Sequence, residues 1–210
     1  MYTGIVQAVC HVKTVVKKTG LNSLVVVLPD SLLVDLTIGA SVGLDGVCLT
    51  VTAINDDCIS FDVMQETLAV TTLGTLNAGS LVNVERSAKQ GVEIGGHLLS
   101  GHVDTQAVIV LINLSENNCE IVYKIQPEFM PYLFKKGFVA LNGCSLTIAS
   151  VSKEDSTLTV FFIPETLRVT THSNKKMGDN VNVEVDRQTQ VIVDTVRAFL
   201  QENATSIFGL

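Results

Sequence analysis

At the middle of the chain, residues 95–104 read Gly95-Gly96-His97-Leu98-Leu99-Ser100-Gly101-His102-Val103-Asp104, and here the first half begins again. Residues 100–103 repeat the opening residues 3–6, with Gly101 ninety-seven places after Gly4. Three further blocks recur in the same order: 45–51 as 142–148, 66–72 as 165–171, and 82–85 as 181–184. Four blocks in a fixed order at nearly constant spacing indicate an internal duplication.

The duplication divides the 210 residues into two domains of about a hundred residues each, a common domain size. We place the first domain at residues 1–97, the second at 98–187 and a C-terminal segment at 188–210. With 47% hydrophobic and only 17% charged residues, each half can bury a core, and disorder is disfavoured.

Charge and cysteine content exclude several classes of function. The formal net charge is −7, whereas nucleic-acid binding needs clustered Lys and Arg, so we expect no nucleic-acid partner. The apolar runs are far shorter than the roughly 20 residues of a spanning helix, so we expect no membrane partner. The five cysteines contain no CxxC pair and the N-terminus lacks signal-peptide character, which together predict a cytoplasmic protein.

Strand patterns dominate both halves, as short β-branched runs bounded by turn residues. This close spacing predicts a small antiparallel β-barrel in each half. Residues 188–203 differ, because Ile192, Val196, Phe199 and Leu200 recur at helical spacing. We expect a terminal helix that either folds back on a barrel or packs against copies of itself. The predicted strands are 12–16, 23–28, 48–54, 59–63, 81–85, 106–114, 119–125, 137–141, 145–151, 158–163 and 181–185, with single helical turns at 29–36 and 127–134.

The two copies differ at equivalent positions that could carry reactive side chains. Cys48 becomes Ser145 and Ile5 becomes His102, while Thr50 and Thr147 match. A thiol or hydroxyl beside an imidazole can serve as nucleophile and acid-base pair. Equally, a strand cysteine is commonly a small core residue and a histidine a structural one. Two similar but unlike pockets would suit two similar ligands.

Metal and dinucleotide sites are not indicated. His97 and His102 are five residues apart, which fits neither one helix face nor one strand face, and no nearby Cys, Asp or Glu completes a zinc set. The glycines at 95, 96 and 101 do not form a GxGxxG that follows a strand and opens a helix.

Together, residues 1–6, 46–51, 95–104 and 163–167 resemble riboflavin synthase, and the similarity extends from Met1 to about Phe199. The resemblance implies an all-β chain of two tandem six-stranded antiparallel Greek-key barrels with a C-terminal α-helix that gathers three chains into a homotrimer. It implies active sites between the N-terminal barrel of one subunit and the C-terminal barrel of its neighbour. The implied reaction is dismutation of two 6,7-dimethyl-8-ribityllumazine molecules, by four-carbon transfer, to riboflavin and 5-amino-6-ribitylaminouracil, without metal or cofactor.

The same resemblance assigns residues to the two lumazine pockets. Cys48 and Ser145 would activate or add to the lumazine, His102 would move protons, and Thr147 and Asp186 would support them. The N-terminal pocket would use Gly4, Ile5, Val6, Cys48, Leu49, Thr50, Asp62, Val63, Met64, Gln65, Glu66, Thr67, Gly101, His102 and Val103. The C-terminal pocket would use Lys136, Ser145, Leu146, Thr147, Phe162, Ile163, Pro164, Glu165, Thr166 and Leu167.

The chain departs from the family at one pair of positions. Relatives usually carry Asp before the glycine of the second barrel and often Asn in the first, whereas this chain has Asn142 and Asp45. The main alternative function is a non-catalytic lumazine or flavin carrier similar to the lumazine protein of luminous bacteria. Retention of His97, His102, Ser145 and Thr147 favours the enzyme. A tandem-barrel interaction module without a ligand would leave the differences between copies unexplained.

Overall fold

A computed structural model describes residues 1–116 and 118–203, and these contain two closed antiparallel barrels of six strands each. The first comprises β1 (Ala8–Lys18), β2 (Leu21–Val27), β3 (Ser41–Leu44), β4 (Val47–Asn55), β5 (Cys58–Met64) and β6 (Leu81–Arg86). The second comprises β7 (Thr105–Ser115), β8 (Asn118–Lys124), β9 (Phe138–Leu141), β10 (Cys144–Ser152), β11 (Thr157–Phe162) and β12 (Asn180–Val185). The predicted fold class is confirmed.

Both barrels have the same topology. The first closes in the order β1-β2-β5-β4-β3-β6, and the second has the corresponding order of β7 to β12. The pairing register shifts at equivalent points, between Val12 and Thr14 in β1 and between Ile109 and Leu111 in β7. Bulges of this kind bend strands so that a small barrel can close. Their repetition at the same offset supports the duplication.

The helices are short except for the last. They are α1 (Asp30–Leu33), α2 (Gln65–Val70), α3 (Pro164–Val169) and α4 (Arg187–Glu202), with 3-10 turns at Thr72–Thr75, Pro127–Tyr132 and Thr171–Asn174. Strand β3 was not predicted, because four residues that include Gly43 give too short a β pattern. No helix was predicted in the repeated blocks at 66–72 and 165–171, where α2 and α3 form.

Helix α4 leaves an apolar stripe uncovered in the single chain. Ile192, Val196 and Phe199 are each more than half exposed, and Val191 is 63% exposed. The predicted helical period is confirmed, and the stripe is exposed rather than folded onto a barrel. Residues 204–210 of the predicted C-terminal segment lie outside the described residues. Among those described, no helix is long and apolar enough to cross a membrane.

The segment before each barrel's first strand crosses to the other barrel. We call residues 2–6 the first leader and residues 99–103 the second leader. They meet at Tyr2 and Leu99, whose backbones form two hydrogen bonds of 2.8 and 3.0 Å. Beyond this point Val6 joins the core of the second barrel, and Val103 packs against the core of the first. Each barrel is therefore completed by the other's leader.

Buried asparagines join the barrels symmetrically. The Asn83 side chain donates to the Asn142 carbonyl and accepts from the Thr171 amide, while Asn182 makes the equivalent bonds to the Asp45 carbonyl and the Thr72 amide. All four bonds measure 2.7–2.9 Å. Since both side chains are almost fully buried and the nitrogen and the oxygen of each have a partner, they fix the relation of the barrels.

The exchanged Asp45 and Asn142 occupy equivalent places in this interface. Each opens a two-residue hairpin turn at positive φ, followed by Gly46 or Gly143, a pattern typical of type I′ turns. Asp45 accepts from the Asn83 amide and Asn142 from the Asn182 amide, each through one side-chain oxygen. Either residue type supplies that oxygen, so the exchange is compatible with the fold. Asn142 is fully buried there, which gives it a structural role.

Burial raises the pKa of the Asp45 carboxyl from 3.8 to about 6. Because the folded-state pKa is raised, this group favours folding most at low pH and loses that contribution as pH rises through about 6. We therefore predict that Asp45→Asn raises the free energy of unfolding by about 2 kcal/mol at pH 8, and by little at pH 4.

Thermal and denaturant unfolding at both pH values would measure this effect. Asn142→Asp is the matched control, since it adds a second buried carboxylate and is expected to destabilise the protein at pH 8. Destabilisation by Asp45→Asn at both pH values would contradict the interpretation.

Candidate active site

The first pocket lies where the second leader crosses the first barrel. Cys48 of β4 donates its amide to the Gly101 carbonyl at 2.8 Å, which brings His102 to the same cleft. The cleft has a volume of about 270 Å³. Its lining residues are Val47, Cys48, Glu66, Thr67, Val70, Thr71, Gly101, His102 and Val103. A half-buried thiol and an exposed imidazole therefore share one cavity.

The second leader must carry glycine at its contact point. Gly101 has φ +80°, and a Cβ added there would lie 2.6 Å from the Cys48 Cβ. Only glycine permits both this conformation and this approach. Arg187 at the start of α4 donates to the His102 carbonyl and to Asp104, and so holds the leader from outside.

The second pocket is built by the same exchange. Ser145 of β10 donates its amide to the Gly4 carbonyl at 2.8 Å, and a Cβ on Gly4 would lie 2.5 Å from the Ser145 Cβ. Gly4 to Val6 thus lie beside Ser145, not beside Cys48. Their sequence-based assignment to the N-terminal pocket is wrong, because the leaders cross between barrels and local sequence does not show the crossing.

Ser145 has a histidine partner, His97, which the sequence singled out without assigning it to either pocket. The His97 Nδ1 lies 2.6 Å from the Ser145 Oγ, and the imidazole stacks on Phe138 with centroids 5.0 Å apart and planes at 16°. His97 is 8% exposed, and its Nε2 has no hydrogen-bond partner among the described residues. His102, the predicted proton carrier, lies in the other pocket.

Burial lowers the pKa of His97, and the nearby Asp186 carboxylate opposes this in part. A neutral imidazole can accept the hydroxyl proton of Ser145, which is the arrangement that activates a serine. Asp186 itself caps α4, accepting from the Thr189 amide and hydroxyl at 3.0 and 2.6 Å. It lies close enough to His97 to act on its charge, and its supporting role stays a prediction.

The duplication explains why the sequence did not pair His97 with Ser145. The repeated blocks begin at residues 3 and 100, so position 97 lies outside the matched blocks. Comparison of the copies therefore could not single it out. The available signal was its place in the Gly95-Gly96-His97 run directly before the second leader.

The remaining predicted residues fall into a buried group and an exposed group. Leu49, Val63, Leu146 and Phe162 point into the barrel cores and are at most 7% exposed, so only their backbone can meet a ligand. The others are exposed or half-buried, with Glu66 and Thr67 in the lining of the first pocket. They are Thr50, Asp62, Met64, Gln65, Glu66, Thr67, Lys136, Thr147, Ile163, Pro164, Glu165, Thr166 and Leu167.

Sequence comparison places both barrels in one domain family. The Lumazine binding domain matches residues 3–87 and 100–186. A riboflavin synthase of Escherichia coli is 48% identical over 207 residues, covering 97% of this chain and 96% of its own. Riboflavin synthases of Buchnera aphidicola and Chlamydia pneumoniae are 41% and 48% identical, covering 99% and 79% of this chain and 100% and 80% of their own.

Solved structures of similar fold contain bound ligands. LumP complexed with 6,7-dimethyl-8-(1'-D-ribityl) lumazine matches with a TM-score of 0.80 at 24% identity, and covers 89% of this chain and all of its own. LumP complexed with riboflavin matches with the same TM-score and coverage at 26% identity.

Gly96 provides a test of the second pocket. A Cβ there would clash with the Thr3 carbonyl oxygen and would lie 2.6 Å from the Ser145 Cβ. We predict that Gly96→Ala lowers the free energy of unfolding by about 2 kcal/mol and separates His97 from Ser145.

Chemical denaturation measures the first effect and the His97 imidazole signals in NMR measure the second. Gly95→Ala is the matched control, since its Cβ would meet only the flexible Ile5 side chain at 3.3 Å. If both variants changed the free energy of unfolding and the His97 signals equally, the close packing of Gly96 against Thr3 and Ser145 would be contradicted.

Proposed function

This chain belongs to the riboflavin synthase family, and we propose that it converts two 6,7-dimethyl-8-ribityllumazine molecules into riboflavin and 5-amino-6-ribitylaminouracil. The observation that carries the proposal is that a thiol and an imidazole line one pocket, while a hydroxyl and an imidazole are hydrogen-bonded at the related place in the other barrel. The first has Cys48 and His102, and the second has Ser145 and His97. A lumazine would occupy each pocket, with one donating and the other accepting a four-carbon unit.

For this dismutation the protein needs to supply only acid-base groups and the correct positioning of the two substrates. The two products contain every atom of the two substrates, so the overall reaction needs no oxidant or reductant. The 7-methyl group of the lumazine is acidic, because its carbanion delocalises into the ring system, and a modest base removes the proton. Holding two rings face to face turns a bimolecular encounter into a local one and lowers the barrier.

We assign the second pocket's base to the His97–Ser145 pair. The Ser145 hydroxyl can add to an electron-poor ring carbon while the His97 imidazole takes its proton. In the first pocket the Cys48 thiol and the His102 imidazole would play the corresponding parts. Thr50 and Thr147, exposed at equivalent positions on β4 and β10, would donate hydrogen bonds to bound heterocycles.

We propose further that complete sites form between subunits of a homotrimer. Exposed apolar side chains support this arrangement, because a neighbouring subunit would cover them. Met64 and the equivalent Ile163 are each 63% exposed, and Phe138 is 44% exposed. The apolar stripe of α4 would hold the subunits together through helix contacts. The five cysteines are unpaired, which suits a reducing cytoplasm.

A carrier function is the second candidate, since the fold matches LumP in complex with ligands. It predicts binding without turnover. Flavin absorbance after incubation with the lumazine distinguishes the two, and we expect riboflavin at one per two substrate molecules. Stoichiometric binding with no flavin formed would contradict the enzyme.

His97→Gln and Ser145→Ala should lower kcat by about a hundredfold or more while changing ligand affinity much less. Each removes a proton-transfer group and leaves the cavity walls in place. We expect His102→Gln to lower kcat in the same way in the first pocket. Steady-state kinetics together with direct titration of a non-reacting lumazine analogue would separate the two effects. Equal losses in kcat and affinity would show that these side chains only position the ligand.

Val196→Asp should convert the oligomer to monomers and remove most of the activity, because it places a charge in the exposed apolar stripe of α4. Gln201→Asp is the matched control, since it adds the same charge on the opposite face of the helix. Analytical ultracentrifugation and the flavin assay would be read together. A fully active monomer would contradict sites shared between subunits.

A further inference from the structure

Glu85 holds the first leader by three hydrogen bonds. Its Oε1 accepts from the Thr3 amide and the Thr3 hydroxyl, both at 2.7 Å, and its Oε2 accepts from the Gly4 amide at 3.1 Å. The residue is 7% exposed. A buried carboxylate with three donors around it is a strong local anchor.

Glu184 holds the second leader in the same way. Its Oε1 accepts from the Ser100 amide and hydroxyl, both at 2.7 Å, and its Oε2 accepts from the Gly101 amide at 3.0 Å. The residue is 3% exposed. The two carboxylates occupy equivalent places on β6 and β12, in the repeated Val-Asn-Val-Glu blocks.

Each leader connects a glutamate of one barrel to a pocket residue of the other. Gly4, held by Glu85 of the first barrel, accepts the amide of Ser145 in the second. Gly101, held by Glu184 of the second barrel, accepts the amide of Cys48 in the first. Each glutamate therefore lies two contacts from the reactive group of the barrel to which it does not belong.

We propose that Glu85 and Glu184 are crossed positioning residues: Glu85 of the first barrel sets the geometry of the Ser145 pocket, and Glu184 of the second sets that of the Cys48 pocket. Neither touches the ligand in this scheme. For its consequence in turnover the proposal rests on the proposed function, whereas the crossing itself can be tested without substrate.

Glutamine is the informative substitution because it keeps the shape and removes the second acceptor. All three partners are donors, so a Gln side-chain NH₂ would face either the glycine amide or the Thr3 or Ser100 donors. The leader would lose at least one charge-assisted hydrogen bond and would lift from the strand beneath it. The side chain under the leader would then become more accessible.

Thiol labelling reads each pocket separately. Cys48 reports on the first pocket, and Ser145→Cys in an otherwise unchanged full-length chain places a thiol in the second. Iodoacetamide labelling followed by peptide mass spectrometry gives the rate at each site. We expect Glu184→Gln to raise the Cys48 rate about tenfold and to leave the rate at position 145 within about twofold. Glu85→Gln should produce the reverse pattern.

Milder variants keep the test valid if a glutamine variant fails to fold. Ser100→Ala removes one donor to Glu184 and should raise only the Cys48 rate, by a smaller factor, whereas Ser100→Thr keeps the hydroxyl and should retain the original rate. The proposal would be overturned if substitution of either glutamate raised the labelling rate in the pocket of its own barrel, or raised both rates equally.

Kinetics separate this inference from the proposed function. Crossed labelling in a chain that forms no riboflavin would support the positioning role and contradict the enzyme. In an active chain, Glu184→Gln should lower kcat, and the conservative Ser100→Thr should leave it unchanged. Normal turnover with uncrossed labelling would contradict the positioning role alone.

Discussion

The whole arrangement depends on the point where Tyr2 and Leu99 pair, because there the two leaders exchange barrels. Two backbone hydrogen bonds of 2.8 and 3.0 Å mark the crossing, and beyond it Val6 and Val103 each pack into the core of the barrel that the other one precedes. A leader that stayed with its own barrel could not reach the opposite strand. In this chain the backbone beside Cys48 and the backbone beside Ser145 each come from the other half of the duplication.

On this symmetric frame the two pockets have different chemistry. Asn83 and Asn182 make matching bonds across the interface, and the Gly46 and Gly143 turns meet so closely that a Cβ on either would lie 2.7 Å from the other's amide nitrogen. The reactive groups break the symmetry: a thiol with His102 in one pocket, and a hydroxyl with a buried His97 in the other. Such a frame would present two copies of one molecule in two distinct environments, as a dismutation requires.

The sequence predicted the duplication, the strand content, the closed barrels and the terminal helix, because these follow from repeated blocks and from hydrophobic periodicity. It also singled out Cys48 and His102, which line one cavity, and Ser145, which lies in the equivalent place of the second barrel. What it could not predict depends on contacts distant in sequence. The crossing of Gly4 to the Ser145 pocket and the pairing of His97 with Ser145 are set by tertiary packing. The local sequence pattern predicts neither the crossing nor this hydrogen bond.

In this proposal each chain presents two unlike pockets for the same heterocycle, and complete sites form where pockets of neighbouring chains meet. Isothermal titration with a lumazine analogue that cannot react tests it directly. Two molecules should bind per chain with distinguishable affinities, and the small change in affinity that Ser145→Ala together with His97→Gln makes should fall on only one of the two binding steps. One molecule bound per chain, or two identical steps that both variants change alike, would contradict the claim.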